Sequence, residues 1–179
     1  MKSATTIAVA SPCTGWRRAC PEAKRLARDA ARVALAVNIP ATELLPPTPV
    51  ELGITLTDDA GQRRLNRRFR GPDLPTNVLA FAAWEPGMRV PPDAPLLLGD
   101  IVLAFETVAR EAAEQGKPFA DHLRHLIVHG VLHLLGCDHQ TADEASIMEP
   151  LETSILAKLG VPDPYYEAAR PLVPTSVCQ

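Results

Sequence analysis

The chain has 179 residues, 46% hydrophobic and 22% charged, enough for one domain with a sizeable core and close to the globular average. Its net charge of -3 excludes a polycation that coats nucleic acid, so an anionic substrate has to be met by a local basic patch. No apolar run approaches the roughly 20 residues that span a bilayer, which argues against a membrane protein.

The first residues, Met1, Lys2 and Ser3 before Ile7, Ala8, Val9 and Ala10, only faintly mimic a signal peptide. The apolar part is short and no clear cleavage site follows, so a cytoplasmic location is expected. The four cysteines, Cys13, Cys20, Cys137 and Cys178, have no paired spacing and are read as reduced thiols.

Residues 5–10 alternate weakly and are β-prone, which suits a first strand. Residues 22–37 are alanine-rich and amphipathic, with Leu26, Ala30, Val33 and Val37 on one stripe. Pro40, Pro46, Pro47 and Pro49 mark a connection. Val50, Leu52, Ile54 and Leu56 alternate as in a half-buried strand, and Thr57 or Asp58 caps a helix reaching about Phe69.

That helix carries Arg63, Arg64, Arg67 and Arg68, with Leu65 and Phe69 as its apolar anchor. Such a charge run is either a solvated face or a track for an anionic chain. Arg70 differs, because Gly71 and Pro72 at the helix exit let its side chain point into a cleft. Its guanidinium fork matches a phosphate. Residues 71–77 form a turn-rich loop, 78–81 a short strand, and the proline-rich 84–95 an exposed loop. Residues 96–104 are nearly continuous apolar, as in a strand buried on both faces. A helix over 106–115 ends at Gly116 and Pro118.

The helix over 119–135 is apolar almost all round, so it belongs in the middle of the domain. Gly130 inside it costs about 1 kcal/mol against alanine, which close backbone packing or space beside a metal would explain. Thr141 and Glu144 form a capping box for a last helix to about residue 159, with Ile147, Leu151, Ile155 and Leu159 as its stripe. Residues after Tyr166 look loosely held.

All five histidines lie between His122 and His139. His125, His129 and His133 recur every four residues and could be a polar stripe on a core helix. They cannot all hold one ion, because eight helical residues span about 12 Å and a zinc–nitrogen bond is about 2.0–2.1 Å. One adjacent pair can share an ion, about 6 Å apart along the axis. Gly136 ends the helix, and His139 can swing back toward His129 and His133. Three imidazoles with a fourth position open is the layout of a catalytic zinc site.

The spacing matches the metzincin proteases, which carry a glutamate base directly after the first histidine. Gly130 stands there and cannot take a proton, so peptide hydrolysis is disfavoured. A metal that activates water, with an arginine against the charge of the transition state, suits phosphodiester hydrolysis better.

Several motifs in order then resemble one family. They are Leu65-Asn66 with Phe69-Arg70-Gly71, Pro75-Thr76-Asn77-Val78-Leu79-Ala80-Phe81, Leu98-Gly99-Asp100-Ile101, Glu114-Gln115-Gly116-Lys117, the His129–His139 stretch, and Glu149 with Leu151-Glu152. Across residues 50–165 the chain resembles the YbeY family of bacterial single-strand-specific metallo-endoribonucleases, the rRNA maturation factors. The resemblance implies an α+β single domain, a small mixed sheet of about four strands with helices packed around a central metal-bearing helix.

It matches His129, His133 and His139 to the family's ligands for one zinc ion, and Arg70 to its essential arginine. Asp138 either orients a ligand from behind or caps the turn. Arg63 and Arg67 are candidates for contacting RNA. Ala80 stands where serine is common, and Cys137 where an aromatic is common, so no base stacks at that position.

The implied domain plan is a weakly matched region 1–49 within the same domain, a nuclease core over 50–166 and a loose tail over 167–179. The implied activity is endonucleolytic cleavage of single-stranded RNA, not DNA. It acts in maturation of the 3′ end of small-subunit ribosomal RNA and in ribosome quality control, with ribosomal RNA and the small ribosomal subunit as partners. The alternative is a ribosome-associated assembly factor with a structural zinc and little nuclease activity.

Overall fold

The computed structural model describes residues 5–37, 40–43, 45–69, 76–91, 94–137 and 141–166. Arg70, most of the 71–77 loop, Asp138, His139 and the 167–179 tail lie outside the described residues, as do the side chains of Phe69 and Glu144.

The strands are β1 (Thr5–Ala10), β2 (Val50–Thr57), β3 (Val78–Ala82) and β4 (Leu96–Ala104). They form one four-stranded sheet in the order β1-β2-β4-β3. β1 and β4 run parallel to β2, and β3 runs antiparallel to β4. The helices are α1 (Thr14–Ala19), α2 (Ala23–Leu35), α3 (Pro40–Glu43), α4 (Asp59–Phe69), α5 (Phe105–Glu114), α6 (Phe119–Leu134) and α7 (Ala142–Lys158). The mixed sheet and the central helix make this the expected α+β domain.

The alternation in β2 puts Val50, Leu52, Ile54 and Leu56 inward, into the buried cluster that residues of α2 and α6 share. β4 is buried on both faces, as expected, over Ile101, Val102, Leu103 and Ala104, but not before them, where Leu97 and Asp100 are exposed. Its register against β2 slips between Glu51 and Leu52, so that Leu97 and Gly99 oppose adjacent β2 residues and Leu98 is extra. Such a bulge restarts the alternation. Leu96 and Leu98 point inward before it, Ile101 and Leu103 after it, while Leu97 is 57% exposed. Gly99 has φ +146, and a Cβ there would lie 2.2 Å from the Phe81 carbonyl oxygen.

α1 has no counterpart in the periodicity. It is six residues long with no side-chain cap, and tertiary contacts hold it. The Trp16 indole is fully buried, donates to the Thr57 carbonyl at 2.7 Å and packs against Phe105 and Phe119. Of the two cap candidates for α4, Asp58 accepts from the Gly61 N–H at 2.6 Å. The face α4 buries is polar, Gln62 and Asn66, with Leu65 only half-buried. The Gln62 amide donates to the Val102 carbonyl at 3.2 Å and accepts from the Thr76 N–H at 2.8 Å, tying α4 to β4 and to the approach to β3.

α6 runs through the core, packed on β3, β4, α2, α5 and α7. It ends with Gly136 at φ +86, whose N–H bonds the His133 carbonyl while the Cys137 N–H reaches back to Leu132. This pair of bonds closes the helix, and only glycine takes that conformation without strain. α7 turns most of its expected stripe inward, with Ile155 buried and Leu151 and Leu159 packed half-buried on the core, but its buried face is shifted away from Ile147. Met148, Glu152, Ile155 and Leu156 are buried, and Ile147 is 72% exposed. The shift seats a carboxylate against α6.

Candidate metal centre

His122, His125, His129 and His133 lie along one side of α6. The ring of His129 is used at both ends. Its Nδ1 donates to Glu152 Oε1 at 2.6 Å, and its Nε2 lies 3.0 Å from Nε2 of His133. An ionised carboxylate only accepts, so the proton sits on Nδ1 and Nε2 presents a lone pair toward His133. Two ligand nitrogens of a tetrahedral zinc lie about 3.3 Å apart, given bonds of about 2.0–2.1 Å. The separation and chemistry of this pair fit one divalent ion between them.

Glu152 comes from α7 and is 0% exposed. One oxygen accepts the His129 Nδ1–H, and the Tyr165 hydroxyl donates to the other. His125 Nε2 lies 3.7 Å from Oε2, an electrostatic contact longer than a hydrogen bond. Burial alone would raise the Glu152 carboxyl. The contacts with His125, His129 and Tyr165 outweigh it and hold the group at about 2. Burial, then the carboxylate, push the Tyr165 hydroxyl up, so it keeps its proton.

His125, His129 and Glu152 form a second possible cation group, with one ligand atom from each within 4.8 Å of the others. Within that group Nδ1 of His129 is already engaged by Glu152 at 2.6 Å. The Nε2 side is the chemically open one. Glu152 then acts from behind, fixing the tautomer and ring angle of His129, as carboxylates behind metal-bound histidines do.

His122 lies beyond His125, 3% exposed, with Nε2 3.0 Å from Glu111 Oε2. Burial lowers its pKa more than Glu111 raises it. Burial, and then Glu152, push the half-buried Cys137 thiol up.

Gly130 faces away from the histidines. A Cβ there would meet Ile101 of β4 at 3.0–3.3 Å. Of the two explanations for this glycine, close packing on the sheet is the one the contacts give. A glutamate at this position would point into the core.

The structure thus brings His129 and His133 together, as their spacing requires. Arg63 and Arg67 are exposed on α4, and neither lines the cleft beside the histidines. Arg70, Asp138 and His139 lie outside the described residues. Glu152 is absent from the site residues that spacing and motif point to, although it partners His129. Its signal was weak: one acidic residue beside an apolar stripe, 23 positions from the histidine it holds.

Fold and site together define a class: α+β proteins whose buried central helix presents a histidine pair suited to a divalent metal. The profile of the family described as Endoribonuclease YbeY matches residues 21–160. The chain belongs to that family. It is 54% identical over 163 residues to Endoribonuclease YbeY of Paramagnetospirillum magneticum, covering 90% of this chain and 96% of the relative. It is 50% identical over 158 residues to the protein of the same name from Rhodospirillum rubrum, covering 87% and 79%. A solution structure of a target protein from Thermotoga maritima shares the fold at TM-score 0.51 and 19% identity, over 92% of this chain and 99% of that one.

Proposed function

We propose that this chain is a zinc-dependent endoribonuclease specific for single-stranded RNA. It works in the cytoplasm on ribosomal RNA, maturing the 3′ end of the small-subunit RNA, and in ribosome quality control with the small ribosomal subunit. Family membership and the names of the relatives support the reaction class. The observation that carries the metal assignment is the 3.0 Å convergence of Nε2 of His129 and His133, with His129 held from behind by buried Glu152. No described helix is long and apolar enough to cross a membrane.

In this reading His129, His133 and His139 hold one zinc ion, with Asp138 supporting the third ligand. When bound, the ion supplies Lewis acidity toward a phosphoryl oxygen and makes water a usable nucleophile near neutral pH. Glu152 keeps the His129 lone pair aimed at the ion. Arg70 sets its fork against the phosphate and stabilises the charge that builds there. Arg63 and Arg67 attract the RNA backbone from the exposed side of α4. Residues 50–166 form the nuclease core, residues 1–49 complete the same domain, and 167–179 form its tail. A peptidase is disfavoured, because the position of the protease base is a glycine packed on Ile101.

The test pairs metal analysis with single-turnover cleavage of single-stranded RNA. About one zinc per chain is expected. It should be lost on replacing His129, His133 or His139 by alanine and kept on replacing His122 or His125. Cleavage should stop with chelator and return with zinc. Arg70→Ala should cost about 10²–10³ in rate, the scale for one charge-stabilising donor. Arg70→Lys should rescue poorly, because an ammonium lacks the fork. Arg67→Ala should weaken binding and flatten its salt dependence, with the saturated rate nearly intact. Cleavage unaffected by chelator would favour the assembly-factor alternative. A dead Arg67→Ala beside an active Arg70→Ala would move the catalytic arginine.

A further inference from the structure

Beside the metal centre, between α6 and the turn after α7, lies a cleft of ≈ 340 Å³. That is the small end of ligand pockets, which run to about 1,000 Å³. His129 and Glu152 are among its lining, so its occupant lies next to the metal. His122, His125, Gln115 and Tyr165 form the rest of the wall that matters here.

Three wall nitrogens are buried without a hydrogen bond, although His125 Nε2 keeps its 3.7 Å electrostatic contact with Glu152. Among the described residues, neither ring nitrogen of His125 nor Nδ1 of His122 has a hydrogen-bond partner. Buried polar atoms without partners cost free energy, and where they line a cleft a ligand can satisfy them.

Tyr165 is built into this wall. Its N–H bonds Asp163 Oδ1 at 2.9 Å, its hydroxyl bonds Glu152, and Lys117 Nζ holds the Pro164 carbonyl at 2.8 Å. Its ring meets His125 edge-on at 5.7 Å, and the residue is 40% exposed. The lining contains imidazoles, amides, a phenol, two glutamates and the apolar Leu126 and Met148, with no lysine or arginine. Such a wall offers a phosphate no permanent cation. It suits a flat, neutral group with hydrogen-bonding edges.

The geometry points to this cleft as a subsite for one unpaired nucleobase of the RNA, adjoining the cleaved bond, with Tyr165 as its stacking surface and His125, His122 and Gln115 reading its edge. The inference rests on the endoribonuclease reading above and deepens it. A paired base is held in the duplex and cannot enter a cleft of this size, so the subsite itself selects single strands. Aromatic stacking tolerates any base, which limits sequence preference.

The full-length zinc-loaded protein would be assayed in single turnover on a single-stranded RNA carrying one abasic nucleotide at successive positions. One position flanking the cut should cost the wild type roughly ten- to a hundredfold in half-saturating concentration or rate, the scale of one stacked base. In Tyr165→Leu and His125→Ala the intact RNA should already be slowed by a similar factor, and the abasic nucleotide should add nothing. Tyr165→Phe, which keeps the ring, should retain the abasic penalty. Zinc content should stay at one per chain in all variants.

A second arm titrates wild-type protein with adenosine and with cytidine, following ring-proton shifts of His122 and His125 by NMR. Saturable shifts of these rings support the subsite even if no RNA is cleaved, and in that case the nuclease reading alone falls. Cleavage with equal abasic penalties in wild type and Tyr165→Leu overturns the subsite and leaves the nuclease reading standing. Loss of zinc from His125→Ala, or two zinc ions per wild-type chain, also overturns it, because the cleft would then be a cation site.

Discussion

A carboxylate taken fully out of water costs several kcal/mol unless partners use its oxygens. Glu152 is 0% exposed, and both oxygens are engaged, by His129 and by Tyr165. Its work is therefore local: it fixes one tautomer of one ring. Glu152→Gln keeps the shape but weakens the hold on the His129 proton. Zinc affinity by chelator competition should fall about 10–100-fold, the usual cost of losing such a partner, with metal still binding at saturation. Should Glu152→Gln lose zinc as completely as His133→Ala, Glu152 is a ligand and the Nε2 assignment is wrong.

At the scale of the element, α6 does two jobs with two faces. One face carries the histidines at one-turn spacing. The other must approach β4 closely, and Gly130 permits it, with Ile101 at 3.0–3.3 Å from where a Cβ would sit. Alanine would gain about 1 kcal/mol of helix propensity. All three nearest atoms belong to fully buried, β-branched Ile101, which has little freedom to yield. Gly130→Ala should thus be destabilising by about 1–2 kcal/mol net, within the range for overpacking. Ile101→Val should recover part of this loss in a double-mutant cycle by denaturant unfolding. Gly130→Glu should damage folding and cleave no casein. A more stable Gly130→Ala protein would show that the glycine was not kept for packing.

At the scale of the whole molecule, the zinc ion proposed for this site would tie folding to metal. Ligand binding to the native state alone adds about 4 kcal/mol at a thousand times Kd, or roughly 8–16 °C in Tm for a domain of this size. Chelator should lower the wild-type Tm by an amount of this order, and added zinc should restore it. The His133→Ala protein should melt at one temperature with or without either. A wild-type Tm indifferent to both would remove the metal from the folded state.

Sequence alone determined what short-range periodicity can carry. The His129 and His133 spacing, the alternation of β2, the glycine that closes α6 and the ordered family motifs are all readable within a few turns or strand steps, because 3.6- and 2-residue repeats set which side chains share a face. Tertiary structure decided the rest. Glu152 reaches His129 only because α7 packs on α6, and Gly130 reads as a contact only once Ile101 lies over it. α1 depends on Trp16 reaching Thr57, 41 positions away, and the bulge that sorts β4 into inner and outer residues exists only against β2. Each is a contact between segments far apart in the chain, formed by burial that rewards a particular packing, and no local pattern encodes which distant partner supplies it.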